Sequence, residues 1–212
     1  MMKEAGFDLI RGSHYPHAPA FSKACDEEGM LFWSEAPFWG IGGFQPDGYW
    51  NASAYPASEK DYKGFEESAL QQLKEMIRIH RNHPSIVTWS MCNEAFFSTP
   101  EAIPGVRHLL ERMVKLSRQL DPTRPAAIGG AQRPLGKDRI DLIGDIAGYN
   151  GDGATLSDFQ QPAIPSVISE YGSTTAERPG AYIPGWGDLK KNDGWKGLHW
   201  RSGQAIWLSL IH

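Results

Sequence analysis

Seven short apolar runs recur along this chain, and helical or irregular segments separate them. Several of the runs, such as residues 30–34 (MLFWS), are almost continuously apolar and do not alternate strictly between polar and apolar positions. Strands that helices cover on both faces have this composition, because both sets of side chains are buried. The pattern therefore predicts a parallel sheet in an α/β fold, either a doubly wound sheet or a (β/α)8 barrel.

The spacing of apolar residues predicts three helices, at residues 19–28, 60–80 and 106–120. Gly29 follows the first helix at a place that suits a left-handed C-cap. The strands are predicted at residues 7–12, 30–34, 85–91, 125–128, 142–147, 166–169 and 204–210. Because the sequence contains no repeat and no linker, we expect one domain over residues 1–212.

The segment after the first strand decides between the two kinds of sheet. Residues 11–16 (RGSHYP) form neither the glycine-rich turn of a dinucleotide-binding fold nor a phosphate-binding loop. The glycine-rich residues 40–43 come later, in an aromatic segment, and they open no predicted helix. We therefore expect a (β/α)8 TIM barrel. Since the chain has seven predicted strands where such a barrel needs eight, we expect the barrel to be incomplete, with its first strand missing.

Composition and charge exclude several classes of function. A formal net charge of −4 without a basic cluster argues against a nucleic-acid partner. The sequence has no apolar run of about 20 residues, so we expect no membrane-spanning helix and no membrane partner. Two cysteines are too few for a disulfide framework or a zinc cluster. Two histidine pairs, His14 with His17 and His80 with His83, have a spacing that could suit a metal ion. Neither pair has a third ligand nearby, so we expect no metal, and we expect no cofactor.

Aromatic residues are concentrated in an irregular segment, residues 35–59, which contains Phe38, Trp39, Phe44, Tyr49, Trp50 and Tyr55. Aromatic rings on loops either pack the loop against the core or bind the apolar faces of sugars. The sequence alone leaves both interpretations open.

Polar side chains follow the predicted strands, at the end where barrel enzymes carry their active residues. Three of these strand ends carry a glutamate, Glu35, Glu94 or Glu170, and Asp145 lies near the end of the fifth run. Any single one of them could be a salt-bridged rim residue. Glu94 and Glu170, however, follow strands three apart in an eight-stranded ring, so they can face each other across its mouth. Two facing carboxyls, one protonated and one ionised, are what hydrolysis of a glycosidic bond requires.

Four motifs resemble glycoside hydrolase family 2, which contains β-galactosidases, β-glucuronidases and β-mannosidases. Residues 88–94 (TWSMCNE) resemble its acid/base strand, and residues 79–85 (IHRNHPS) resemble the segment before that strand. Residues 167–172 (VISEYG) resemble its nucleophile strand, and residues 9–16 (LIRGSHYP) resemble its second barrel strand. The motif Asn-Glu is weak by itself, but the four motifs in this order and spacing are a specific set.

The resemblance implies a role for each matched residue. Glu94 would be the general acid/base and Glu170 the nucleophile. Asn93 would hydrogen-bond the 2-hydroxyl of the sugar, where contacts strengthen as the transition state forms. Arg11 would hold Glu170 ionised and oriented, since a guanidinium matches a carboxylate. His14 would contact a sugar hydroxyl.

Aromatic residues also acquire roles from the resemblance. Trp207, on the last strand, would form the platform under the sugar ring. Trp39 and Phe38, which follow Glu35 closely, would wall the pocket.

Cys92, two residues before Glu94, is an alternative nucleophile that lacks a supporting His and Asp in the sequence.

Two features of the family are missing from the sequence. The tyrosine that many members place after the sixth barrel strand would fall on Gly151 or Asp152, and Tyr149 comes too early. The magnesium ligands of some β-galactosidases, a Glu and a His after the third strand, have no counterpart after Glu35. We therefore expect Glu35 to be a hydrogen-bonding partner within the mouth, with no catalytic metal.

We expect a retaining β-glycoside hydrolase with a carbohydrate substrate, in the first place a β-galactosidase. β-Glucuronidase and β-mannosidase are the alternatives within this class, and a non-catalytic carbohydrate-binding remnant is the alternative from another class. Residues 1–6 resemble the end of the helix that joins the first two strands of the family's barrel. We therefore expect that the chain starts inside a domain and shows no signal peptide that would indicate its compartment. We also expect that it lacks the upstream β-sandwich domains of its parent and is inactive alone.

Overall fold

A computed structural model of the chain describes residues 2–4, 6–40, 53–150, 164–175 and 204–209, with residues 171–175 and 204–209 described as backbone. Strands and helices alternate from residue 9 to residue 129, as the sequence predicts. The strands are β1 (Leu9–Gly12), β2 (Leu31–Glu35), β3 (Ile86–Asn93), β4 (Ala126–Gly129), β5 (Ile146–Asn150), β6 (Ser166–Thr175) and β7 (Gln204–Ser209). The helices are α1 (Pro19–Glu28), α2 (Glu59–His80) and α3 (Ile103–Leu120), and short 3-10 turns span Pro100–Ala102 and Gly136–Asp138.

The seven described strands form one sheet in which each strand pairs in parallel with the next along the chain. The sheet curls until Cα atoms of β1 and β7 come within 8 Å of each other, yet no described backbone pairing joins these two strands. This is the architecture of a (β/α) barrel that is open between its first and last described strands. The predicted α/β class and incomplete TIM barrel are confirmed.

The helices begin and end where the sequence predicts or close to it. α1 has Pro19 in its first turn, and Gly29 closes it with a φ of 64°. α2 buries one face on the sheet, through Ala69, Leu73 and Ile77 among others, because apolar residues recur at helical spacing. No helix in the described ranges is both long and apolar enough to cross a lipid bilayer.

Two aromatic residues of segment 35–59 belong to the hydrophobic core. Phe38 is buried and packs edge-on against Phe65 of α2, with 5.6 Å between ring centroids. Tyr55 is buried too, and its hydroxyl donates to Glu66 at 2.7 Å. Packing therefore accounts for these two rings, and the expectation that Phe38 walls a pocket is wrong. Phe44, Tyr49 and Trp50 lie outside the described residues.

The fifth strand lies further along the chain than the sequence predicts. Residues 142–147 were expected, but β5 spans Ile146–Asn150, and Leu142 is 48% exposed. Asp145 precedes this strand and accepts a hydrogen bond from the backbone N–H of Ala126 at 2.9 Å, so it lies away from the mouth. Gly148 and Asn150 have low strand propensity, which hid the real strand. Gly148 is needed where it stands, because a Cβ there would lie 2.7 Å from Oγ of Ser169.

The two histidines of segment 79–85 hold α1 against α2 and against the turn before β3. His83 pairs with Asp26 at the end of α1, with 2.5 Å between Nδ1 and Oδ2. The second oxygen of Asp26 accepts the backbone N–H of Ser85 at 2.9 Å. His80 is hydrogen-bonded to Ser22, 3.0 Å away. These partners give both histidines a structural role.

A buried ion pair at the opposite end of the sheet from the mouth joins the turns before β3 and β4. Asp121 accepts from Arg124 at 2.7 Å and from the indole N–H of Trp89 at 3.0 Å. Arg124 also donates to the carbonyls of Ile86 and His83, at 2.6 and 3.0 Å. The pair therefore fixes the starting points of two neighbouring strands.

Candidate active site

The carboxyl ends of the strands carry a connected group of polar side chains. Arg11 on β1, Glu35 on β2, Asn93 on β3, Asn150 on β5 and Glu170 on β6 are linked by hydrogen bonds. They meet because parallel strands arranged in a ring bring their carboxyl ends to one mouth. Of these five, Arg11, Asn93 and Glu170 were predicted site residues and Glu35 was expected as a hydrogen-bonding partner, whereas Asn150 was not identified.

Arg11 joins two carboxylates from different sides of the mouth. Its Nη1 lies 2.6 Å from Oε1 of Glu170, and its Nη2 and Nε lie 2.8 and 3.1 Å from Oε2 of Glu35. All three side chains are nearly inaccessible to solvent. Burial lowers the pKa of Arg11, but the charges of Glu35 and Glu170 outweigh it and the net pKa is raised. The guanidinium is thus a fixed positive charge between two carboxylates.

Glu35 has all of its acceptor capacity engaged. Besides Arg11, it accepts from Ser90 Oγ at 2.9 Å and from the indole N–H of Trp33 at 3.3 Å, and His14 Nδ1 lies at 2.9 Å. Burial raises the pKa of Glu35, but Arg11 and His14 outweigh burial and hold the pKa of that carboxyl below its usual range. This geometry agrees with the expectation that Glu35 is a hydrogen-bonding partner within the mouth.

Glu94 has an unusual backbone conformation at the end of β3. Its φ is +47°, in the left-handed region that residues with a Cβ rarely adopt. The backbone N–H of Glu94 donates to Gly129 at 3.2 Å. Gly130 packs directly behind it, since a Cβ on Gly130 would lie 2.5 Å from Cγ of Glu94. Both backbone and side chain of Glu94 are therefore held by the Gly129-Gly130 pair.

The carboxyl of Glu94 is partly buried and accepts two amide hydrogen bonds. Gln132 Nε2 lies 3.0 Å from its Oε1, and Asn150 Nδ2 lies 3.1 Å from the same oxygen. Burial is the main cause that raises the pKa of Glu94, and the charge of Glu170 raises it further. The two amides and Arg11 lower this pKa in part, but the net direction is upward. The site therefore favours the protonated form of Glu94 more than water does.

Asn93 has its orientation fixed by donors. Its Oδ1 accepts from Arg11 Nη2 at 2.8 Å and from Asn150 Nδ2 at 3.0 Å. Because a guanidinium can only donate, the amide oxygen of Asn93 must face Arg11. Within the part of the chain that the structure describes, no group hydrogen-bonds to Nδ2 of Asn93. That nitrogen is the group of Asn93 that can donate to a ligand.

His14 and Trp39 lie beside the carboxylates. His14 Nε2 is 3.6 Å from Oε1 of Glu170, and its ring centroid is 5.5 Å from that of Trp39. Trp39 is half-buried and its backbone forms an isolated bridge with Asn93. Trp207 lies on β7, next to β6, but its side chain is outside the described residues.

Gln132, Asn150 and Ser169 belong to this group, although the sequence analysis did not identify them. Ser169 Oγ donates to Asn150 Oδ1 at 2.6 Å. Asn150 would have been found if β5 had been placed correctly, since it is the last residue of that strand. Gln132 lies in the loop after β4, where no periodic pattern marks it.

Other residues that the sequence offered lie elsewhere or have other partners. Cys92 is buried in the core beneath the mouth, and burial raises the pKa of its thiol, so it lacks the features of a nucleophile. The hydroxyl of Tyr149 donates to Asp141 at 2.9 Å, whereas Gly151 and Asp152 lie outside the described residues. Among the described ranges, no three His, Cys, Asp or Glu side chains are grouped to hold a metal ion.

A parallel α/β barrel with two carboxyls at the carboxyl end of its strands is the arrangement of many glycoside hydrolases. The family model described as "Glycosyl hydrolases family 2, TIM barrel domain" matches residues 1–197 of this chain. The chain therefore belongs to glycoside hydrolase family 2, and the resemblance inferred from its motifs is confirmed. The extension of the domain to residue 212 stays a prediction.

Relatives and solved structures agree with this assignment. A β-glucuronidase from Bacteroides fragilis is 32% identical over 186 residues, which are 82% of this chain and 24% of the relative. The structure of Bacteroides uniformis β-glucuronidase 2, covalently bound to cyclophellitol-6-carboxylate aziridine, superposes with a TM-score of 0.69 at 25% identity, covering 97% of this chain and 27% of the other. The structure of a family 2 member from Bacteroides cellulosilyticus superposes with a TM-score of 0.66 at 25% identity, and the match covers 97% of this chain and 23% of the other. The chain thus spans about a quarter of the length of these proteins.

Proposed function

We propose that this chain is the catalytic barrel of a retaining β-glycosidase, with Glu170 as nucleophile and Glu94 as general acid/base. The observation that carries the proposal is the difference between the environments of the two carboxyls. Glu170 is paired with Arg11 at 2.6 Å, whereas burial and the charge of Glu170 raise the pKa of Glu94. One carboxyl is paired with a guanidinium and the other is biased toward its acid form, an asymmetry that suits double displacement.

In the first half of the reaction, protonated Glu94 gives its proton to the glycosidic oxygen as the bond to the anomeric carbon breaks. A carboxylate oxygen of Glu170 attacks that carbon, and a glycosyl ester forms. The ester carries no charge, so the repulsion that raises the pKa of Glu94 disappears. Glu94, now ionised, takes a proton from water, which attacks the anomeric carbon and releases Glu170. Two inversions give net retention.

The remaining predicted residues bind and orient the sugar. Nδ2 of Asn93, which has no partner among the described residues, is suited to donate to the 2-hydroxyl, because Arg11 engages the oxygen of the same amide. His14, next to Glu170, is suited to contact a further hydroxyl. We propose Trp207 as the platform under the ring and Trp39 as part of the wall, as the family resemblance implies.

For the substrate we propose a β-linked glucuronide. The β-glucuronidase alternative matches the names of the Bacteroides fragilis and Bacteroides uniformis relatives, and for this reason we prefer it to the β-galactoside expected from the sequence. The second of these holds a ligand whose name includes a 6-carboxylate. Carbohydrate is thus the partner, and the distinction between uronic acid and neutral sugar is the finer part of the proposal.

The test is a parallel assay of aryl β-glucuronide, β-galactoside and β-mannoside with the natural full-length protein that carries this barrel. We expect kcat/KM for the glucuronide to exceed the others by at least about 100-fold, since a site built to pair a charged group rejects analogues that lack it. Proton NMR of the first product should show the β anomer. A preference for galactoside would restore the earlier alternative, an α anomer would contradict retention, and tight binding without turnover would indicate a carbohydrate-binding remnant.

A further inference from the structure

Two side-chain amides hold one and the same oxygen of Glu94. Gln132 Nε2 and Asn150 Nδ2 lie 3.0 and 3.1 Å from Oε1. Within the described residues, Oε2 has no hydrogen-bond partner. The two oxygens of this carboxyl are therefore not equivalent.

The direction of each amide is dictated by its partners. The backbone N–H of Asn150 donates to Oε1 of Gln132 at 3.0 Å, and because that group can only donate, Nε2 of Gln132 must face Glu94. Oδ1 of Asn93 accepts from Arg11, so the side of Asn150 that faces Asn93 must be its nitrogen. Both groups at Oε1 of Glu94 are thus N–H donors.

The loop that carries Gln132 is held against the strands on either side of β4. The N–H of Ala131 donates to the carbonyl of Gly148 at 2.7 Å, which ties the loop to β5. Gly130 has a φ of +57° and allows the loop to pass directly over Glu94. Gln132 is itself almost completely buried. Its amide is therefore held in place before any ligand arrives.

We propose that Gln132 and Asn150 are positioning residues that make Oε2 of Glu94 the oxygen that carries and returns the transferable proton. This inference rests on the proposed role of Glu94 as acid/base. With two N–H donors on Oε1, that oxygen acts as the acceptor in both protonation states. The proton leaves Oε2 for the glycosidic oxygen, and the proton of the attacking water later restores it there.

The same amides lower the pKa of Glu94, whereas burial and Glu170 raise it. Burial raises its pKa most, followed by the charge of Glu170 on β6, whereas Asn150, Gln132 and Arg11 of β1 lower it. Glu35 and His14 lie on the far side of Arg11 and Glu170 and are paired with them. Without the amides the pKa of Glu94 would rise further, and a weaker acid donates its proton more slowly.

Two substitutions of Gln132 separate its contacts. Gln132→Met removes the donor to Glu94 and the acceptor for Asn150. Gln132→Glu keeps an acceptor for the backbone N–H of Asn150 and replaces the donor that faces Glu94 by a second carboxyl, whose charge also raises the pKa of Glu94. Gln71→Met is the matched control, because Gln71 donates an amide hydrogen bond to Glu75 at 2.6 Å on the exposed face of α2. Cooperative thermal unfolding identifies the variants that fold.

Two quantities are measured in the full-length protein. The first is the titration of the Glu94 carboxyl, followed by carbon-13 NMR with labelled glutamate, where the signal missing from Glu94→Gln identifies Glu94. The second is the pH profile of kcat/KM. We expect the Glu94 midpoint and the alkaline limb to move upward in both Gln132 variants and to stay in place in Gln71→Met. We expect kcat for a poor leaving group to fall about 10-fold, with KM little changed, because only proton transfer is affected.

An unchanged Glu94 midpoint in a folded Gln132 variant would overturn the inference. If Gln132→Met does not fold, Gln132→Glu decides. The titration requires no turnover, so an inactive wild-type protein would refute the proposed function and still leave the role of Gln132 measurable.

Discussion

Nη1 of Arg11 lies 2.6 Å from Oε1 of Glu170, while the opposite edge of the same guanidinium holds both oxygens of Glu35. A guanidinium can make these contacts at once because its donors are arranged as a planar fork. The orientation of the Glu170 carboxyl is therefore set by a side chain from the other side of the mouth.

Arg11→Lys keeps the positive charge and removes the fork. A single ammonium cannot serve Glu35 and Glu170 in the same geometry, so one of the two buried carboxylates loses its partner. We expect kcat/KM to fall by about 100-fold or more, since misplacing a reacting group costs on this order. Arg118→Lys, at a half-exposed pair with Asp145, is the control and should leave the rate unchanged. Similar losses in both variants would mean that the effect is general destabilisation.

The two proposed catalytic carboxyls should respond differently to amide substitution. Glu94→Gln should lose about 10²–10⁴-fold on substrates with poor leaving groups and much less on activated ones, because only acid assistance is lost. Glu170→Gln should lose nearly all activity on both. Their carboxyl groups should lie about 5–5.5 Å apart in a crystal structure, the distance typical of retention. A separation above about 10 Å would sink the assignment.

Glu94→Gln should also stabilise the protein near neutral pH. Burial, and then the charge of Glu170, raise the pKa of Glu94 above the usual 4.5. A carboxyl whose pKa is higher in the folded state stabilises the fold at low pH, and this contribution is lost as pH rises from the unfolded value through the folded one. The variant cannot ionise and keeps the oxygen that accepts from Gln132 and Asn150.

We therefore expect the melting temperature of Glu94→Gln to exceed that of wild type near pH 7, with the difference closing by about pH 4. Glu28→Gln, at the exposed end of α1, should show no such pH-dependent difference. A variant that is less stable than wild type at neutral pH would indicate that Glu94 is ionised in the resting protein at no cost.

Asp121→Asn should show the opposite pH dependence. Hydrogen bonds from Thr123, Arg124 and Trp89 outweigh burial and lower the pKa of Asp121 from 3.8 to about 2. The stability that this depressed pKa provides is present above the unfolded value and is lost as pH falls toward the folded one. We expect the substitution to cost about 1–2 kcal/mol at neutral pH after allowance for solvent screening, and little at about pH 2. Urea unfolding at several pH values measures this, and a pH-independent cost would contradict it.

Removal of metal ions should not change the rate. Arg11 supplies the positive charge beside Glu35 and Glu170, where a cation would otherwise be needed to hold two carboxylates together. Exhaustive chelation of the natural full-length protein, followed by assay with and without magnesium, checks this. Recovery of activity specifically with magnesium would mean that residues outside the described ranges provide a metal site.

The sequence predicted what periodic patterns and strand ends encode. The limits of α1 were predicted because apolar spacing, Pro19 and Gly29 agree. Glu94 and Glu170 were singled out because a carboxylate directly after a buried strand has few structural reasons to be there, and the structure places both at the carboxyl end of the sheet. Gln132 had no such signal, since a loop residue acquires its role only from the path of the chain, here through the turn at Gly130.

Asn150 was missed for a different reason. Leu142 and Ile143 look like strand residues, but Leu142 is exposed and the strand begins only at Ile146. Because the strand was predicted a few residues too early, Asp145 was predicted as the polar residue near its end instead of Asn150. The aromatic segment was equally ambiguous, because Phe38 and Trp39 are neighbours and yet one packs in the core and the other lies beside His14.

The absence of a side chain at Gly130 limits how this barrel can be engineered. Any Cβ there would lie 2.5 Å from Cγ of Glu94, and the positive φ of Gly130 disfavours every other residue as well. A mutant library aimed at new substrate preference would naturally include the loop after β4, because it borders the mouth. We expect inactive clones from diversity at Gly130, whereas the exposed Leu135 and Lys137, past the buried Gln132 of the same loop, are better places for it.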